Sequence, residues 1–174
     1  MPPTPGTQDG TSSSGSARRV RAVALVLVAA AMLLRTWQYG ADTALWLDEI
    51  AVARNVLERP LTGLLVEPLD YDQTAPKGSL LAEFVVTQAA GSSEYALRFW
   101  PWLASMASVA LYWRLSSRVL PGLGGMVALL CFAAAMPLVR QAGEVKQYST
   151  DVAAAIVLML LALPGPTSRR RDLA

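Results

Sequence analysis

The chain has no histidine, one cysteine and few charges: only 16% of its 174 residues are Asp, Glu, Lys or Arg, where a soluble domain averages about 25%. Without histidine, imidazole catalysis and His-ligated metals are excluded. A single Cys131 excludes an internal disulfide framework. Basic residues are split among distant segments with no interleaved aromatics, which argues against nucleic-acid binding. What the chain has instead is apolar surface: 53% of its residues are hydrophobic and its mean hydropathy is +0.37.

The opening 17 residues, MPPTPGTQDGTSSSGSA, carry after Met1 no large apolar side chain and read as a disordered tail, because they cannot bury enough surface to offset the entropy of ordering. Four apolar stretches follow: Ala22 to Leu34, Phe99 to Trp113, Val119 to Val139 and Val152 to Pro166. The first is short for a bilayer that needs about 20 residues. Arg35, Trp37 and Tyr39 extend it by snorkelling or by sitting at the interface, and no A-x-A-like site follows, so a retained span is favoured over a signal-peptide core. Gly122, Gly124 and Gly125 interrupt the third stretch and read as close helix packing. Four such stretches in so short a chain predict an all-α, polytopic membrane helix bundle of about four transmembrane helices spanning residues 18–166, with a basic end at 167–174.

Charge placement orients the bundle. Arg18, Arg19 and Arg21, then Arg114 and Arg118, then Arg169, Arg170 and Arg171 lie in segments whose only acids are Asp9 and Asp172, whereas nine acids and three bases fall in the long loop from Trp37 to Tyr95. The positive-inside rule then puts both termini in the cytoplasm and the long acidic loop outside, in an integral multi-pass protein of the plasma or inner membrane.

That loop carries two candidate interfacial helices. In IAVARNVLERP, Ile50, Ala53, Val56 and Leu57 share a face and Pro60 is a stop; SLLAEFVVTQAAG, Ser79 to Gly91, is the second. Between them PLDYDQTAPKGS is turn-rich and holds Asp70, Tyr71, Asp72, Gln73 and Lys77. In the second outer connection, Pro137 to Asp151, a helical continuation puts Glu144, Gln147, Tyr148 and Asp151 on one face and turns Lys146 elsewhere. The plainer reading has Thr150 capping the last helix and Asp151 favouring its positive end. Asp48 and Glu49 have a plain reading too, as the polar start of an interfacial helix.

Four segments in order, LWLDEIAVARNV, PLDYDQTAPKGSLL, SSEYALRFWPWLAS and RQAGEVKQYSTD, resemble the N-terminal part of GT-C type membrane glycosyltransferases. That group includes protein O-mannosyltransferases and aminoarabinose transferases acting on lipid A, and the likeness is to glycosyltransferase family 39. It covers roughly Val20 to Leu163. The resemblance implies a polyprenyl-phosphate-linked sugar donor, a lipid, protein or glycan acceptor, and transfer at the outer face with inversion. The family's acidic motif falls on Asp48 and Glu49, with Asp48 as the base that takes the acceptor proton. Lys77 corresponds to the cation that meets the leaving lipid phosphate, with Arg140 and Lys146 next. Tyr71, Gln73, Glu144, Tyr148 and Asp151 are further substrate-binding candidates, and a second acidic position of the family matches the Glu144 to Asp151 region. No cofactor is firmly implied; several members use a divalent metal, and carboxylates alone leave its identity open. Members have more spans than the four counted here, so an N-terminal fragment is expected. The competing expectations are a non-catalytic membrane protein that binds a lipid or partner helices through the same surface, and, with less support, a transporter subunit.

Overall fold

A computed structural model describes residues 10–41 and 44–164. Residues 1–9, most of the expected disordered tail, and 165–174, with the basic end, lie outside the described residues. The fold is all-helical, with no strand among the described residues. Helices α1 (Gly10–Gly40), α2 (Leu47–Glu58), α3 (Leu61–Val66), α4 (Lys77–Ala90), α5 (Glu94–Val119), α6 (Leu123–Ala134), α7 (Met136–Arg140) and α8 (Tyr148–Ala162) follow one another, with a 3-10 turn at Gln141–Gly143 between α7 and α8. Because α1 begins at Gly10, the expected boundary at residue 18 falls inside a helix. Helix α3 has no counterpart in the sequence reading.

Two separate cores hold these helices. One joins α1, α5 and α6 through Ala24, Val28, Ala31, Val109, Leu129 and Ala133. The other joins α2, α3, α4 and the start of α5 through Val52, Val56, Leu64, Leu80 and Leu97, with Val145 inserted from the second connection. Helix α5 is the common element: 26 residues long, it contributes Leu97 to one core and Val109 to the other. At the level where the cores meet, aromatic side chains pack on one another. Tyr39 lies 5.6 Å from Tyr95 and 5.4 Å from Trp102, centroid to centroid. The Tyr39 hydroxyl donates to the Tyr95 carbonyl at 2.9 Å, and the Trp100 indole donates to Thr150 Oγ1 at 3.1 Å. Thr150 therefore accepts from a neighbouring helix instead of capping α8, whose N-cap residue is Gln147.

Among the described residues one helix, Arg18–Gly40 of α1, is long and apolar enough to cross a membrane, or two if α6 and α7 count as one bent span. This is fewer than the four stretches expected. Helix α5 is long but includes Arg98, Arg114 and several serines, and α8 is apolar but only 15 residues long. The uncharged run Val119 to Val139 is not one helix. It starts after a turn at Leu120–Gly122 and bends by 54° at Ala135. Pro137 explains the bend: it has no N–H to give the Ala133 carbonyl, four residues back. Arg35 supplies the missing donors. Its guanidinium donates to Ala133 O at 3.3 Å and to Phe132 O at 3.2 Å while lying 5.6 Å from the Phe132 ring centroid. Arg35 is wholly buried, 0% exposed, and does not snorkel. An unpaired carbonyl far from water costs several kcal/mol (about the value of a vacuum hydrogen bond at most), so a buried cation is tolerated where it fills two acceptors.

Gly125 shows the close packing expected of the glycines. A Cβ there would overlap the Leu120 carbonyl oxygen, which brings α6 against the end of α5.

Candidate functional site

The site grows from α2. Trp46 is its N-cap residue, and Glu49 at the third helical position reaches back to accept the Trp46 N–H at 2.9 Å. The other Glu49 oxygen accepts the N–H of Val145 at 2.7 Å, 96 residues further on. Glu49 is 4% exposed, and both oxygens are occupied by backbone donors. It fastens the second connection to the start of α2. Asp48, one residue earlier and turned about 100° around the helix, is exposed.

The buried face of α2 is Glu49, Val52, Ala53, Asn55 and Val56. Ile50 and Leu57, expected on it, are each 41% exposed. Asn55 clamps the turn-rich segment: its Oδ1 accepts the Asp70 N–H at 2.9 Å and its Nδ2 donates to the Asp70 carbonyl at 3.3 Å. Arg59 adds bonds to Pro68 O at 2.7 Å and to the Asp70 carboxylate at 2.8 Å. So held, the chain turns through Tyr71 and Asp72 with φ of 62° and 52°. Such left-handed geometry costs a side-chain-bearing residue about 1 kcal/mol or more and persists where its surroundings over-determine it.

The turn closes one wall of a cavity of about 250 Å³. Asp48, Arg54, Tyr71 and Gln73 supply its polar groups, and Leu47, Ile50 and Ala51 the rest. The Arg54 guanidinium sits 5.4 Å from the Tyr71 ring centroid and pairs with Glu58 at 2.8 Å. Gln73 accepts from Lys146 Nζ at 2.9 Å. Lys146, which the helical reading of the second connection turned elsewhere, thus stands behind the cavity wall.

The helical stripe through Glu144, Gln147, Tyr148 and Asp151 does not form. After the 3-10 turn Glu144 is extended, with φ −106° and ψ 135°, because the Val145 N–H is given to Glu49 rather than to a helical carbonyl. Gly143 packs against the Gln38 backbone at the end of α1, and a new helix starts at Tyr148. Glu144 is half-buried. Burial, and then the Glu49 charge, push its carboxyl above the usual range, while Arg140 and Lys146 oppose. Tyr148, Asp151 and Arg140 are exposed. Lys77 is also exposed, in the first turn of α4, and makes no ion pair among the described residues. Of the residues singled out from sequence, Asp48, Tyr71 and Gln73 line the cavity, with Lys146 bonded to Gln73 and Glu49 and Glu144 on either side of the Val145 anchor; Lys77, Arg140, Tyr148 and Asp151 do not line it.

Glu83 joins this group without having been marked as a site residue. It lies on α4, is 2% exposed, and one carboxyl oxygen has no hydrogen-bond partner. Burial raises it from the ordinary 4.5 to about 8, with the Lys146 charge pulling the other way. Ser79, one turn earlier on the same buried face, has an unpartnered hydroxyl as well. An acid embedded in the apolar run SLLAEFVV is the sequence signal for this position. For Asn55 the signal is an amide in mid-helix, where it competes with the backbone unless it has a partner elsewhere. Among the described residues no three Cys, Asp or Glu side chains converge as metal ligands. With Glu49 committed to two N–H groups, these carboxylates do not fit a divalent ion.

Comparison with protein-family models, with curated proteins and with solved structures gives no match to this chain.

Proposed function

We propose that the chain is a membrane glycosyltransferase of the GT-C type, or its N-terminal part, moving a sugar from a polyprenyl-phosphate donor to an acceptor hydroxyl with inversion. The observation that carries the reading is Asp48, an unpaired exposed carboxylate in a cavity also lined by Gln73, which is bonded to the cation Lys146. In this scheme Asp48 accepts the acceptor's proton as the hydroxyl oxygen bonds to the anomeric carbon. The bond from that carbon to the phosphate oxygen breaks on the opposite face, and the electron pair leaves with the lipid phosphate. Lys146, with Arg140 nearby in sequence, is better set than Lys77 to meet the developing negative charge, since two acids around it, Glu83 and Glu144, are pushed toward their neutral forms.

The multi-pass arrangement is part of this proposal, with both termini cytoplasmic and the first long loop outside. Its support is a matching length. From Val20 to Tyr39 on α1, and from Tyr95 to Arg114 on α5, a helix rises about 28 Å, close to the hydrocarbon thickness of about 30 Å. Both intervals run between an arginine-bearing end and the aromatic belt.

The test is Asp48→Asn, assayed for transfer from polyprenyl-phosphate mannose or aminoarabinose in membranes carrying the chain. Transfer is abolished while membrane insertion is unchanged; retained turnover removes Asp48 from the chemistry. The double use of Glu49 as a fastener favours one alternative, a non-catalytic protein whose acids hold loops over a lipid or partner surface. In that case Asp48→Asn alters nothing measured.

A further inference from the structure

The far end of the bundle carries charge that the proposed transferase chemistry does not use. Arg18, Arg19 and Arg21 open the apolar part of α1, and Arg114 and Arg118 lie in the last two turns of α5; all five are exposed. Helices α1 and α5 run antiparallel. Tyr39 meets Tyr95 at one end, and Val20 and Ala24 share a small cavity with Trp113, Leu120 and Met126 at the other. All five arginines therefore stand within two residues along the chain of positions that line one pocket, Val20, Trp113, Ser116, Ser117 and Leu120. Among the described residues no acid lies along the chain near them: there is no Asp or Glu from residue 10 to 41 or from 95 to 143. None of the five forms an ion pair among the described residues.

The pocket is largely apolar, of about 90 Å³, with half-buried Trp113 on one wall, Ser116 and Ser117 beside it, and the open end of α6 at Gly122 and Gly125 on another. A shallow apolar slot whose lining positions are flanked along the chain by exposed, unpaired arginines matches one chemistry: an anionic headgroup joined to an acyl chain. Guanidinium groups bind phosphate oxygens in pairs, which a zwitterionic headgroup with its own ammonium answers less well.

We infer that this end of the bundle is a binding site for an anionic phospholipid, its phosphate held by Arg114, Arg118 and the α1 arginines and the head of one acyl chain lying against Val20, Trp113 and Leu120. The inference rests on that reading's membrane placement of α1 and α5 and not on its sugar transfer, so loss of transfer leaves the inference standing.

Native mass spectrometry of the full chain in detergent, titrated with phosphatidylglycerol or phosphatidylcholine, tests it. The unaltered chain retains phosphatidylglycerol over phosphatidylcholine, and added salt weakens the first and not the second. Arg114→Gln with Arg118→Gln lowers phosphatidylglycerol affinity by about twenty-fivefold, from about fivefold per arginine near a lipid headgroup. Arg114→Lys with Arg118→Lys keeps most of it and controls for misfolding. Equal retention of the two lipids by the unaltered chain overturns the inference. So does unchanged retention in the glutamine variant, or inorganic phosphate competing as well as the intact lipid does.

Discussion

Replacing Glu49 by glutamine separates the two acids that stand side by side in LWLDE. The carboxylate accepts the Trp46 N–H at 2.9 Å and the Val145 N–H at 2.7 Å, and is 4% exposed. A hydrogen bond to a charged group contributes about 1.5–3 kcal/mol. Glutamine keeps one accepting oxygen and turns an NH2 toward the other backbone donor, so one bond is lost and a buried donor is left facing another. The expected cost is about 3 kcal/mol, read as a lowered midpoint when the chain in detergent is unfolded and followed by tryptophan fluorescence. Asp48→Asn, at an exposed position, shifts the same midpoint by no more than about 0.5 kcal/mol. If Glu49→Gln unfolds with the unaltered chain and yet loses sugar transfer, its carboxylate acts on substrate and the fastening role assigned to it is refuted.

Three further substitutions probe other parts of the fold. Glu83 is neutral in the folded chain up to about pH 8 and ionises from about 4.5 once unfolded, so between those values the unfolded state holds fewer protons and stability falls as pH rises. Glu83→Gln removes up to about 1.4 kcal/mol per pH unit of that slope, leaves the smaller part due to Glu144, and makes the chain more stable than the parent at pH above 8; an unaltered slope in a melt series would assign it to another group. Arg35→Met exposes the Phe132 and Ala133 carbonyls at the α6–α7 bend and lowers stability by about 1–3 kcal/mol, with Arg35→Lys intermediate; an unfolding midpoint unmoved by Arg35→Met would mean that water or lipid already satisfies those oxygens. Gly125→Ala drives a methyl into the Leu120 carbonyl and costs about 1–3 kcal/mol, whereas Gly124→Ala meets only the Leu120 Cβ at 3.7 Å and is tolerated; equal midpoints for the two would refute the close approach.

Helices with continuous local signals are legible from sequence. α4 runs Lys77–Ala90 where Ser79 to Gly91 is expected, and α2 ends at Glu58, just before Pro60. Breaks set by a single missing donor are harder to read. Val119 to Val139 looks like one uncharged span because hydropathy records no difference between a residue with an N–H and Pro137 without one. The partner that makes the bend tolerable, Arg35, comes from another helix about a hundred residues earlier. The second connection fails for a related reason. Its spacing suits a helix, but the Val145 N–H has a carboxylate to bind, and a charged acceptor outcompetes a peptide carbonyl.

Helical periodicity also misjudges the inner face of α2, because it sorts residues by polarity. Ile50 faces out and Glu49 faces in, since a carboxylate with two backbone donors has its burial offset, while Ile50 lines the cavity beside Asp48. The same distinction divides the Asp-Glu pair. Adjacent positions on a helix point about 100° apart, so one acid can be consumed by the architecture while the next stays open to a cavity. Which of the two does so depends on Val145 and Gln73, residues distant along the chain. The pair by itself therefore marks where a site lies; the long-range contacts assign its members their separate tasks.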